Sequence, residues 1–208
     1  MNDEEELHEA LQECFWDGEL NHPLLPTYLR FSSQPAAVAN SIFLSKLAAI
    51  YDAVKNGHWD LYVDLHEKPY RLDAFTQIKD CIRSDKARWA LLSKTWIDSE
   101  NIRQWNADWP GKLHAMNAKE RKAYTALPDE LTIYRGVGKG RNAEKGLSWT
   151  LDRSKAIYFA RRFTDHGGGI LFTARAKKSD VHALLLGRNE QEVVIDRMDI
   201  TESRQPAT

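Results

Sequence analysis

The sequence has little cysteine and no metal-binding spacing. Cys14 and Cys81 lie far apart and form no CxxC pair, so neither a zinc ribbon nor a disulfide framework is indicated, and a reducing compartment fits. The histidines His8, His22, His58, His66, His114, His166 and His182 show no HExxH or paired ligand spacing, and no metal is expected. Internal repeats and low-complexity tracts are missing. So is an uninterrupted run of the roughly 18 apolar residues that a membrane-spanning helix needs. Charge of one sign is missing as well: 29 basic residues face 30 acidic ones, a net charge of -1. That balance gives no global attraction to nucleic acid or to an anionic membrane, and neither is expected as a partner. The acidic start Met1-Asn2-Asp3-Glu4-Glu5-Glu6 lacks the basic and apolar regions of a secretory signal. A soluble cytoplasmic protein is the expectation.

What is present is enough apolar material, 42% of 208 residues, to bury a core in one larger domain or two small ones. Its distribution is uneven. Trp16, Trp59, Trp89, Trp96, Trp105 and Trp109 precede residue 110, whereas the glycines gather after residue 135. In the first half, Ser84-Asp85 opens a segment with Trp89, Leu92 and Trp96 on one helical face. Asn117 and Glu120 make a capping box for a helix running towards Leu127, which Pro128-Asp129 ends.

From Leu131 the pattern becomes strand-like. Leu131-Thr132-Ile133-Tyr134-Arg135 is β-rich and stops at Gly136-Val137-Gly138-Lys139-Gly140, which lacks GxGxxG spacing and reads as a turn. A short strand is expected at Gly146-Leu147-Ser148-Trp149. Then Ala156, Phe159, Ala160 and Phe163 recur at helical spacing, with Arg161 and Arg162 on the polar face. Gly167-Gly168-Gly169 breaks that helix before a strand at Ile170 to Ala176, and Gly187-Arg188-Asn189 separates two further runs, Val181 to Leu186 and Glu190 to Ile195. The tail from Thr201 to Thr208 is polar enough to fray. The expected fold class is therefore α+β, with a helical Trp-rich region over 1–128 and a mainly β region over 129–202.

Several residues in the second region have the chemistry of a site. Arg135 closes a strand beside Gly136, where its planar guanidinium would suit phosphate oxygens. Glu190 and Glu192 would share one face of a strand, and their repulsion would raise one pKa. Ser148 and Thr150 would likewise share a face, with Trp149 opposite. Each feature alone has a plain structural reading: a surface ion pair, a solvated strand end, ordinary strand hydroxyls. The apolar run Val193-Val194-Ile195 sets the acidic pair against a buried strand.

Taken together, Tyr134-Arg135-Gly136, Ser148-Trp149-Thr150 with its Ala- and Phe-containing helix, and Glu190-Gln191-Glu192-Val193-Val194-Ile195 resemble the arginine, serine, glutamate signature of toxin-like mono-ADP-ribosyltransferases. The resemblance covers roughly residues 130–200. It implies an ADP-ribosyltransferase core that takes NAD as substrate, releases nicotinamide and modifies a target protein. Arg135 with Gly136 would hold the NAD phosphates and ribose, Ser148 would position the catalytic Glu192, and Glu190 would engage an arginine acceptor. Phe159 would pack near the nicotinamide, or simply fill the core. Trp149 and Thr150 depart from the serine-threonine-serine form, which puts the cofactor-binding role of Thr150 in question. Two other readings stay open: an NAD glycohydrolase, in which water is the acceptor, and a catalytically silent binding module. The resemblance also implies a modifier acting where it is made, or in a host cytoplasm if a virus or mobile element encodes it.

Overall fold

The structure, a computed structural model, describes residues 6–16, 19–26, 36–99, 116–138, 146–162, 169–196 and 205–206. Its contacts divide into two units: Met1–Arg83 with Asp98–Asn101, and Ser84–Ile97 with Ile102–Thr208. Helix and sheet are mixed, as α+β requires. The Lys139-Gly140 end of the expected turn, the apolar helix position at Phe163 and the helix break at Gly167-Gly168 lie outside the described residues.

The first unit contains α1 (Glu9–Gln12), a small hairpin of β1 (Phe15–Trp16) and β2 (Glu19–Leu20), then α2 (Ala36–Asn56), α3 (Trp59–Asp64) and α4 (Arg71–Ile78). Ala39 and Phe43 of α2 meet Leu11, Leu20, Leu24 and Leu25 in one apolar cluster. Further along α2, Leu44, Leu47, Tyr51 and Val54 are exposed. The helix is thus long and apolar enough to cross a membrane by length and composition, although Asn40, Ser41, Ser45 and Lys46 interrupt its apolar run.

The second unit is built on an antiparallel sheet. Its strands are β3 (Glu130–Val137), β4 (Ser148–Thr150), β5 (Ile170–Lys177), β6 (Val181–Leu185), β7 (Glu192–Ile195) and β8 (Gln205–Pro206), in the order β6-β7-β4-β3-β5-β8. Leu131 and Ile133 alternate with exposed Thr132 on β3, as period two demands. All four residues of β7 are buried. The tail expected to fray instead places Gln205 and Pro206 against Leu171 and Ile170 at the sheet edge, a position that tolerates proline.

Helices α5 (Asp85–Asp98), α6 (Ala118–Thr125) and α7 (Arg153–Arg161) belong with this sheet. The expected boundary at 128/129 is therefore displaced to Ser84, because long-range contacts rather than element type define the unit. Trp89, Leu92 and Trp96 bury the predicted face of α5. The Asn117–Glu120 capping box opens α6 as expected, and the same buried Glu120 accepts from the Leu186 N–H at 2.9 Å. Asp152 caps α7 by accepting from the Ser154 and Lys155 N–H groups. A Cβ on Gly136 would stand 1.6 Å from the Ala156 carbonyl oxygen, so glycine on β3 is what lets the backbone of α7 come this close.

Candidate active site

Three neighbouring strands bring the site together. Thr150 on β4 pairs with Tyr134 on β3 at one side and with Glu192 on β7 at the other. Ser148 is diagonal to Glu192 across the β4–β7 pair, a separation that side chains can bridge. The Ser148 hydroxyl donates to Glu192 Oε1 at 2.5 Å, and the Trp96 indole N–H donates to the same oxygen at 2.8 Å. Arg135 directs its guanidinium to the Ser148 carbonyl. Room for that guanidinium comes from Gly146, where a Cβ would lie 2.0 Å from an Arg135 terminal nitrogen.

Glu192 is a buried carboxyl, 6% exposed. Burial raises its pKa above the ordinary carboxylate value, opposed by the hydrogen bonds from Ser148 and Trp96 and by the charge of Arg188, while the charge of Glu190 adds a small further rise. The expected direction holds for Glu192, but its main cause is desolvation rather than the paired acidic residue.

The expected strand alternation of Glu190 and Glu192 does not occur. Asn189 and Gln191 take positive φ values of 55° and 46°, so β7 begins at Glu192 and Glu190 lies in the preceding turn. Glu190 is half-buried and faces Arg188, whose Nε is 3.4 Å from its Oε2. Thr150 accounts for the placement of this turn. Its hydroxyl donates to the Glu190 carbonyl at 2.5 Å and accepts from the Asp152 N–H at 3.0 Å, while the Leu151 N–H donates to the Gln191 carbonyl at 3.1 Å. Thr150 thus spends its hydroxyl on the chain itself, tying the acidic turn to the start of α7.

The structure brings Arg135, Ser148 and Glu192 together, with Gly136 on the same strand as Arg135 and packed against α7. Phe159 is half-buried on α7, its ring T-shaped to Tyr158 at 5.7 Å between centroids. Sequence reasoning missed two participants. Trp96 was legible as a buried helix position, with no signal that its N–H meets Glu192. Arg188 read as part of a turn, although its place two residues before Glu190 was visible. Among the described residues, no group of three or more His, Cys, Asp or Glu side chains is placed to hold a metal. No protein-family model, curated protein or solved structure matches the chain.

Proposed function

We propose that the second unit has an ADP-ribosyltransferase-like core and is a mono-ADP-ribosyltransferase that moves ADP-ribose from NAD to a protein side chain, with arginine as the favoured acceptor. The observation that carries this reading is the Ser148–Glu192 hydrogen bond on adjacent strands, with the Arg135 guanidinium on the Ser148 carbonyl. These are the three residues of the sequence signature, brought together by sheet order from positions 135, 148 and 192.

Breaking the bond between nicotinamide and ribose places positive charge on the sugar, which a fixed carboxylate stabilises. Glu192 suits that task in its ionised form. Ser148 and Trp96 both hold Oε1, so the carboxylate is oriented before substrate arrives, and Oε2 is the oxygen turned to the ribose hydroxyl. Arg135 answers the diphosphate with a permanent charge and paired donors. Glu190, outside the strand and less buried than Glu192, attracts and orients a cationic acceptor and assists its deprotonation. The target is a protein of the cytoplasm in which the chain acts.

One observation favours NAD hydrolysis as the second reading: Glu190 already faces a guanidinium, that of Arg188, which would compete with an incoming arginine and leave water as acceptor. Labelled NAD incubated with the purified protein and a bacterial lysate, with Glu192→Gln as control, separates the outcomes. Label on proteins that depends on Glu192 supports transfer. Nicotinamide release without labelling supports hydrolysis, and the absence of both signals leaves a binding module.

A further inference from the structure

The turn between β6 and β7 is held at several points. Its first residue, Leu186, donates its N–H to Glu120, and Asn189 donates back to the Leu186 carbonyl at 3.1 Å. Its last residues are fixed by Thr150 and Leu151 through the carbonyls of Glu190 and Gln191. Arg188 stands on this pinned turn with its side chain 51% exposed, and its Nε faces Glu190 Oε2 at 3.4 Å. Its terminal nitrogens make no hydrogen bond to a described residue. Its positive charge is also felt at Glu192, four residues on. A guanidinium therefore stands beside Glu190 and within electrostatic reach of Glu192.

Resting on the transferase reading above, we infer that Arg188 is an ADP-ribose acceptor of this chain, modified in cis at a terminal guanidinium nitrogen. Glu190, which that reading assigns to an arginine acceptor, already orients this one. Holding acceptor and carboxylates in one framework replaces a bimolecular encounter with an intramolecular one, the largest geometric advantage available to a reaction of this kind. In the transfer, the lone pair of an Arg188 terminal nitrogen forms the bond to the ribose C1'. The bond from C1' to nicotinamide breaks, its electron pair leaving with neutral nicotinamide. The proton lost from the guanidinium passes to Glu190 and then to water. The modified side chain remains cationic at the guanidine and carries a diphosphate beside Glu190, so the product occupies the place an external arginine would need.

The test uses the full chain with NAD and no added acceptor, followed by peptide mapping by mass spectrometry over a range of protein concentrations. A small guanidino compound, agmatine, is supplied in a parallel series. The expected result is one ADP-ribose on the Arg188 peptide, formed at a rate per molecule that does not change with dilution. Arg188→Lys should reduce that self-labelling to the level of Glu192→Gln. Labelled agmatine or label at other residues, with Arg188 unmodified, would overturn the assignment and leave the transferase reading standing. Modification of Arg188 at a rate proportional to protein concentration would overturn the cis geometry. If neither nicotinamide nor any labelled product appears, the transferase reading itself fails and Arg188 loses its role with it.

Discussion

The indole N–H of Trp96 donates to Oε1 of Glu192 across 2.8 Å, although 96 residues separate the two in the chain. The Ser148 hydroxyl reaches the same oxygen. Two donors on one buried oxygen favour the ionised form of a group that burial alone would keep protonated.

Removing either donor should therefore weaken catalysis and shift its pH dependence together. Ser148→Ala and Trp96→Phe each give up a hydrogen bond to a charged group, about 1.5–3 kcal/mol, or roughly a tenfold to hundredfold fall in kcat/KM. Without the donor, burial acts with less opposition, so the rising limb of the pH–rate profile should move to higher pH. Because both act on one atom, the double variant should depart from additivity by about 0.5–3 kcal/mol in a double-mutant cycle. A profile with an unmoved limb in both single variants would show that Glu192 is not the carboxylate whose ionisation sets the limb.

Glu192→Gln should separate activity from stability. Nicotinamide release is expected to fall on the order of 10²–10³-fold, as when a preorganised electrostatic contact is lost. Stability should go the other way. A carboxyl whose folded pKa is raised contributes nothing once both folded and unfolded forms are protonated, and it opposes folding as pH rises through the raised value. The amide keeps an acceptor oxygen for Ser148 and Trp96, so the variant should melt higher than the parent at neutral pH. Thermal melts from the ordinary carboxylate range upward check this: the gap should close as pH falls and widen as it rises.

Two glycines with similar crowding should fail differently. In Gly136→Ala the new methyl meets the Ala156 backbone carbonyl, which cannot swing aside, and a loss of about 1–3 kcal/mol or more is expected. A chain of this size would then melt lower by roughly 2–4 °C per kcal/mol. In Gly146→Ala the obstacle is the flexible end of Arg135, so the guanidinium moves and the fold survives. The expected result is a higher KM for NAD with little change in melting temperature.

Glu190→Ala should spare NAD hydrolysis more than arginine modification, since Glu190 serves the acceptor. Parallel assays of nicotinamide release and agmatine labelling measure the split. Equal losses in both would contradict the division of labour between the two carboxylates.

The elements that the sequence disclosed were those with local causes. The capping box at Asn117 and Glu120, the buried face of Trp89, Leu92 and Trp96, and the strand of Leu131 to Arg135 all follow from neighbours within a few residues. The joining of Arg135, Ser148 and Glu192 was expected from the order of the motifs, and sheet order supplied the physical link. Glu190 was misplaced because left-handed backbone at Asn189 and Gln191 is not announced by glycine; it is imposed by hydrogen bonds from Thr150 and Leu151 that are distant in sequence. The unit boundary was misplaced for a related reason. Helical composition groups α5 and α6 with the helices before them, whereas Trp96 and Glu120 bond to Glu192 and Leu186 far downstream.

Trp96 is 1% exposed, and its indole shares a hydrogen bond with the carboxyl expected to titrate. A fluorophore thus lies against the acid whose charge state governs the site. Protonation of Glu192, or capture of its second oxygen by a ligand, alters the field across that ring, so the chain carries its own dye for reading the electrostatic state of its interior.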